Sequence, residues 1–299
     1  MSKSPLRDPT WGRDEALPDP VPVPMPGKVL GMVRGVLVGG VTYGSLMVLL
    51  LLRLVEAPIF GLHRPLTPWI TRFVCRTALL GMGMGFKVTG KPMTHRGALV
   101  ANHSSWLDVF ALNAPQQIYF VSKSEVAGWP GIGWLARATG TVFISRKAGQ
   151  ARDQNKTMRD RLLAGHRLVF FPEGTSSDAT RVLPFKSTLF AAFFDTDLAD
   201  ALHIQPVSVI YHAPKHLDPR FYGWWGDMEF APHLWQVLTA IPQGSVELVF
   251  HGEIAVRDFP DRKALAAYCE DQVRAGVMDR LSDAASIDRK SSAEKPAAR

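Results

Sequence analysis

Apolar and polar residues fall into three patterns along the chain. From Gly35 to Leu52 there is no charged residue; Met47 to Leu52 is continuously aliphatic, and Arg34 and Arg53 close the two ends. Eighteen such residues at about 1.5 Å rise make roughly 27 Å of helix, close to a hydrocarbon core of about 30 Å. The interior Gly39, Gly40 and Gly44 suit a membrane helix better than a soluble one. A second apolar stretch, Trp69 to Phe86, carries Arg72 and Arg76 four apart on one face, the pattern of a helix lying in a membrane interface. Two buried helices of a soluble domain are the alternative, against which the uncharged length counts. After Gly97 the pattern becomes short apolar runs separated by helical segments. Ala98–Ala101, Ile118–Ser122, Thr141–Ser145, Leu168–Phe171, Ile204–Tyr211 and Val246–Phe250 read as strands. Trp106–Ala114, Ala151–Leu163, Ser187–Leu202 and Ala264–Leu281 read as helices. This alternation predicts an α/β fold, a mixed or mostly parallel sheet flanked by helices, preceded by an N-terminal membrane-associated helical hairpin.

The expected organisation is a Pro-rich disordered tail over 1–27, anchoring helices over 28–96, a catalytic α/β domain over 97–285 and a polar tail over 286–299. The first segment holds seven prolines and little apolar periodicity, and it lacks the basic start and apolar core of a secretory signal. Of 299 residues 46% are hydrophobic, which excludes a wholly disordered chain, and two cysteines are too few for a disulfide framework. The net charge of +7 suggests an anionic partner, and its distribution is uneven. Residues 1–27 carry three Lys or Arg against four acids, 28–96 carry nine against Glu56 alone, and 97–299 carry 22 of each. The excess therefore sits in the anchoring segment, as expected for basic residues beside anionic lipid. Basic residues interleaved with aromatics on one element are missing, so nucleic acid is not expected as a partner.

Candidate chemistry gathers where predicted strands end, the usual place for ligands in open α/β sheets. Asn102-His103-Ser104-Ser105-Trp106-Leu107-Asp108 follows the first strand of the domain. On one continuous helix, His103 and Asp108 would lie about 140° apart, so they meet only if His103 sits in the preceding turn. The spacing alone equally fits a loop histidine beside an acid that supports the helix start, with Ser105 as N-cap and Asp108 at the capping-box position. Phe170-Phe171-Pro172-Glu173-Gly174-Thr175-Ser176-Ser177 follows a second strand, offering a carboxylate and backbone N–H groups. Gly140-Thr141-Val142-Phe143-Ile144-Ser145-Arg146 places an arginine beyond a third. There is no Gly-x-Ser-x-Gly and no metal-ligand spacing such as His-Glu-x-x-His, so neither a serine nucleophile nor a metal or other cofactor is expected. Gly131-Ile132-Gly133 follows Trp129-Pro130 rather than a strand and reads as a turn into a helix.

Taken together and in this order, these motifs and the later Ile204-Gln205-Pro206-Val207 resemble the glycerolipid acyltransferases typified by 1-acylglycerol-3-phosphate acyltransferase. That family carries Asn-His-x4-Asp, Gly-x-Ile-Phe-Ile-x-Arg, Phe-Pro-Glu-Gly-Thr-Arg-Ser and a Val-Pro-Val-type strand. The resemblance covers roughly Gly97 to Tyr211. It implies that His103 is the general base for a lysolipid hydroxyl, that Asp108 orients it, and that Glu173, Gly174 and Thr175, with Lys123 and Arg146, bind substrate. For Lys123 and Arg146 a plain surface role is the alternative. The implied donor is acyl carrier protein or acyl-CoA, whose thioester supplies its own leaving group.

One position departs from the family. Ser176 stands where the family has an arginine for the acceptor's phosphate, and Arg181, Lys186 or Lys123 would have to replace it. Leu183-Pro184-Phe185-Lys186 and Tyr222-Gly223-Trp224-Trp225-Gly226-Asp227 resemble the bacterial branch that acylates lyso-ornithine lipid, whose acceptor has no phosphate. Phosphatidic acid synthesis, or both activities, is the alternative, and an inactive membrane lipid-binding protein is a third reading that the intact His103, Asp108, Glu173 and Gly174 oppose. Trp224, Trp225 and Trp235 suit an interfacial belt, an acyl-channel wall or simple core packing. Arg64, Arg72 and Arg76 after the apolar stretch place the catalytic side in the cytoplasm, at the cell inner membrane. Gly35–Leu52 either spans the bilayer or dips into it as half of a hairpin.

Overall fold

A computed structural model describes residues 17–18, 21–144, 151–194 and 201–293. The first sixteen residues of the expected tail, and Arg146, lie outside the described residues. Two antiparallel-leaning helices open the chain, α1 (Met25–Phe60) and α2 (Thr67–Gly81), joined by a short turn. A sheet follows, in the order β1 (Gly85–Thr89), β7 (Ser245–Phe250), β6 (His203–His212), β2 (Gly97–Ala101), β5 (Arg167–Phe170), β3 (Tyr119–Lys123), β4 (Val142–Ile144). The pairs are parallel except β6 with β7, and β8 (Ile254–Ala255) adds a short antiparallel pairing to β6. The expected mixed α/β fold with a helical hairpin in front is thus observed.

β2 lies between β5 and β6, and every residue of it is buried. Its period of two divides the core. Leu99 and Ala101 face α2, α3 (Asp108–Asn113) and α7 (Phe230–Thr239), while Ala98 and Val100 face α5 (Ala151–Leu163) and α8 (Arg262–Ala293). Burying a side chain such as Leu99 stabilises the fold by about 1.5–3 kcal/mol. Gly97 begins the strand with φ +146, and a Cβ there would lie 1.7 Å from the His203 carbonyl oxygen, so only glycine allows β2 this close to β6.

Several elements differ from the sequence pattern. The second apolar stretch is no single helix: α2 ends at Gly81 and its last residues enter β1, which joins the sheet beside β7. α3 begins only at Asp108, because that side chain takes the amides of Ser104 and Ser105 out of helical pairing. The helix expected over Ser187–Leu202 opens as a 3-10 turn (Ser187–Phe190) followed by α6 (Ala191–Phe194), and its residues 195–200 lie outside the described residues. α8 runs on to Ala293, into the segment expected to be a polar tail.

The arginines of the hairpin also have partners in the domain. Arg34 donates to the carbonyls of Leu238 and Ala240 at the end of α7, both at 2.9 Å. Arg64 donates to Ala138 at the end of α4 (Ile132–Thr139), and Arg72 and Arg76 to Pro115 and Ala114 just past α3. Helix C-termini carry unpaired carbonyls and partial negative charge, so each cation there stabilises by about 0.3–1 kcal/mol. These guanidinium groups fasten the hairpin to the domain.

Candidate active site

The turn after β2 is fixed before any substrate is considered. Asn102 bridges to β6 in both directions, its amide donating to the Val209 carbonyl at 2.9 Å and its carbonyl accepting from the Val209 N–H at 2.8 Å. His103 therefore leaves the sheet in a set direction. Its Nδ1 lies 2.7 Å from Asp108 Oδ2, which also accepts the N–H groups of Ser104 at 2.9 Å and Ser105 at 3.1 Å. Asp108 Oδ1 accepts the Tyr211 hydroxyl at 2.7 Å. Three of these partners are obligate or oriented donors, so the fully buried carboxylate acts only as acceptor and the proton between it and His103 belongs to Nδ1. The imidazole is then left with an unprotonated Nε2. The ring stacks on Phe171, centroids 4.1 Å apart and planes 10° apart, and about a quarter of the side chain is exposed (24%). The expected capping box does not form: Asp108 takes the Ser105 amide, but α3 starts at Asp108 itself with Leu107 at its N-cap, and the Ser105 hydroxyl has no partner among the described residues.

Glu173 comes from the turn after β5, the neighbouring strand. Its Oε1 accepts the backbone N–H of His103 at 3.0 Å, and Ser177 N–H donates to the His103 carbonyl at 2.7 Å, so the two turns are laced together. The Glu173 side chain is fully buried, and burial pushes its carboxyl well above the usual range, outweighing the amides of His103 and Leu183 that act the other way. One of its oxygens thus holds the His103 turn. Gly174 turns the chain with φ +75, and the Lys186 ammonium lies 3.0 Å from where its Cβ would be. Thr175 follows, half-buried, in the same bend.

Of the expected basic positions, Lys123 ends β3, two strands from β2 at the same edge of the sheet, and Arg146 lies outside the described residues. Among the replacements considered for the missing arginine, Arg181 is paired with Asp178 at 2.6 Å, whereas Lys186 stands against the Gly174 turn itself. Ser176 donates its hydroxyl to the Trp224 carbonyl, and Trp224 N–H donates to the Ser104 carbonyl at 2.9 Å. Trp106 Nε1–H donates to His233 Nδ1 at 2.9 Å, and burial lowers the pKa of His233 to about 4, so that its Nδ1 is free to accept. Sequence reasoning missed Tyr211, Asn102 and His233. Tyr211 shares parity with Val207 and Val209 along β6, a pattern that places all three on the face towards α3.

Among the described residues, no group of His, Cys, Asp or Glu is arranged to hold a metal ion. The arrangement suits proton transfer at an exposed imidazole nitrogen backed by a buried carboxylate.

Residues 86–210 match the family described as Acyltransferase. The chain is 53% identical to the lyso-ornithine lipid O-acyltransferase of Rhodobacter capsulatus, over 91% of this chain and 98% of that protein. It is 30% identical to a 1-acyl-sn-glycerol-3-phosphate acyltransferase of Neisseria gonorrhoeae, over 68% and 78% of the two chains. The fold is similar to that of the crystal structure of the 1-acyl-sn-glycerophosphate (LPA) acyltransferase from Thermotoga maritima, with a TM-score of 0.60 at 20% identity, covering 86% of this chain and 97% of that one.

Proposed function

The chain belongs to the glycerolipid acyltransferase family and is an O-acyltransferase acting on lysolipids, and from that premise we propose that it acylates lyso-ornithine lipid at the membrane, using His103 as general base. The single observation that carries the mechanism is the acceptor-only carboxylate of Asp108 on His103 Nδ1, which leaves Nε2 as the base. The lysolipid hydroxyl loses its proton to Nε2 as its oxygen attacks the carbonyl carbon of the acyl thioester. Asp108 stabilises the imidazolium. When the tetrahedral intermediate collapses, the carbon–sulfur bond breaks and the imidazolium returns the proton to the departing thiolate. A positioned histidine of this kind contributes typically 10²–10⁴-fold. The donor is acyl carrier protein or acyl-CoA. The acceptor assignment is supported by the 53% identical relative and by Ser176 standing where a phosphate-binding arginine would be. Lys123, Gly174, Thr175 and, beyond β4, Arg146 complete the substrate-binding edge.

α1 is long and apolar enough to cross a membrane. At 36 residues, about 54 Å, it also touches the α/β unit over its first half, where Gly27 and Gly31 approach Thr239 and Tyr43 approaches Gly131, while Glu56 near its other end takes the amides of Leu66 and Thr67 within the hairpin. The face turned away exposes Val36, Met47 and Leu54. A helix whose first half rests on the catalytic unit fits a hairpin lying in the interface of the cytoplasmic leaflet of the inner membrane better than a crossing helix. The anchor then begins with α1 at Met25 and runs to residue 96, apart from β1, and the catalytic unit runs from Gly97 through the end of α8 at Ala293. The deciding experiment offers purified protein lyso-ornithine lipid and lysophosphatidate side by side with one labelled acyl donor. Preferential transfer to lyso-ornithine lipid is expected; exclusive use of lysophosphatidate overturns the acceptor assignment.

A further inference from the structure

Trp224 is tied by its backbone to both catalytic turns, through its N–H to the Ser104 carbonyl at 2.9 Å and through its carbonyl to the Ser176 hydroxyl. Its ring meets Trp129, from the segment after β3, and Phe230, at the start of α7, edge-on at centroid distances of 6.0 and 6.4 Å. Phe230 in turn meets Trp106 of the catalytic turn at 5.3 Å. The indole is thus held beside the His103 turn by two rings and by two bonds of its own backbone. Its Nε1–H is nevertheless buried with no hydrogen-bond partner among the described residues. A buried indole N–H ordinarily finds an acceptor, because leaving it unmade costs the full desolvation of the group. The other tryptophan of the catalytic turn, Trp106, has its acceptor in His233.

We propose that Trp224 is a specificity-determining residue whose indole N–H donates to a carbonyl oxygen of the acyl acceptor, the one linking its acyl chain to the head group. This rests on the reading of the chain as a lysolipid acyltransferase and goes beyond it in naming the recognising atom. A neutral donor recognises a carbonyl without requiring charge on the acceptor. Ser176 contributes by position: its hydroxyl fixes the backbone that presents the indole, where an arginine would present charge instead.

Trp224→Phe keeps one aromatic ring and removes the N–H with the rest of the five-membered ring, so the hydrogen bond is read from the comparison of two acceptors and not from KM alone. The expected result is a rise in KM for the acceptor of about threefold to tenfold, the worth of one neutral hydrogen bond, with kcat and the donor KM within about twofold of wild type. An acceptor whose linking carbonyl is reduced to methylene shows the raised KM with wild-type enzyme and no further rise with Trp224→Phe. An unchanged acceptor KM in the folded variant, or an equal further rise with the reduced acceptor, overturns the proposal. If Trp224→Phe lowers the unfolding temperature markedly, Ser176→Ala serves instead, since it loosens the same backbone without touching the ring, and the same pair of acceptors is compared. Whichever lysolipid the wild-type enzyme uses, this KM comparison tests Trp224 separately from the choice between lyso-ornithine lipid and lysophosphatidate.

Discussion

Tyr211 donates its hydroxyl hydrogen to Asp108 Oδ1 at 2.7 Å, on the opposite oxygen from the one that meets His103. Both residues are buried, and burial together with the nearby carboxylate pushes the Tyr211 phenol well above its usual value, so it remains a donor at any working pH. Tyr211→Phe removes that donor and leaves a buried carboxylate short of one partner. A loss of about 1.5–3 kcal/mol in unfolding free energy is expected, with turnover falling less than in Asp108→Asn.

Asp108→Asn removes the charge behind His103 while keeping its acceptor. The amide oxygen stays on the Ser104 and Ser105 N–H groups, which share Oδ2 with His103 Nδ1, and the NH₂ turns to the Tyr211 oxygen, so the tautomer is kept and the charge that stabilises the imidazolium is lost. A fall in kcat of about 10²–10⁴-fold is expected, with acceptor KM little changed and His103→Ala at least as severe. Steady-state kinetics on folded, membrane-associated variants check this; full activity in either variant removes His103 as base.

Glu173 behaves as a neutral acid if burial governs it, and Gln is then close to an isosteric substitute. Glu173→Gln keeps an oxygen for the His103 amide, and less than a tenfold loss of kcat is expected. Glu173→Ala removes that acceptor and leaves the amide unpaired, costing about 1–3 kcal/mol of stability and a larger part of the activity. A loss beyond a hundredfold in Glu173→Gln, with the protein folded, would mean instead that an ionised carboxylate is required.

Much of this site was legible in the sequence because it lies at strand ends with short, ordered spacings. His103 and Glu173 are 70 residues apart, but each directly follows an apolar run that reads as a strand, and parallel pairing of β2 and β5 puts both at one edge. The contacts that decide roles were hidden. Whether Glu173 faces substrate or backbone depends on a side-chain rotamer, and the partner of Trp106 is His233, 127 residues on, which no local pattern announces. Charge alone does not assign the hairpin's arginines, since a row of them after an apolar helix looks alike whether it meets lipid headgroups or helix C-termini.

That distinction is testable. Arg34→Gln and Arg76→Gln each remove a guanidinium from helix-end carbonyls, and a loss of about 1–2 kcal/mol in stability is expected for each, with membrane flotation nearly unchanged. Val36→Glu with Leu54→Glu, both on the exposed face of α1, should do the reverse: similar unfolding in detergent, and a large share of the protein released from liposomes. If the arginine variants float poorly and unfold normally, lipid contact is their main role.

His233 makes acid stability a readout of the scaffold behind the catalytic turn. Its folded pKa is lowered, to about 4 from an ordinary 6.5, mainly by burial, because protonating Nδ1 would both charge a buried ring and expel the Trp106 indole N–H. The unfolded chain therefore binds the proton more readily. The stability due to neutral His233 is complete above pH 6.5 and declines as the pH falls towards 4. Linkage gives a loss of about 2 kcal/mol by pH 5 and about 3 kcal/mol once both forms are protonated. Denaturant unfolding of the wild type between pH 7.5 and 4.5 should show this slope. His233→Asn, which retains an acceptor but does not titrate there, should start less stable at pH 7.5 and lose less on acidification, so the two curves converge. Parallel curves would assign the acid sensitivity to other groups, of which His166, lowered to about 3 by burial and by Arg161 and Arg64, is the next to replace.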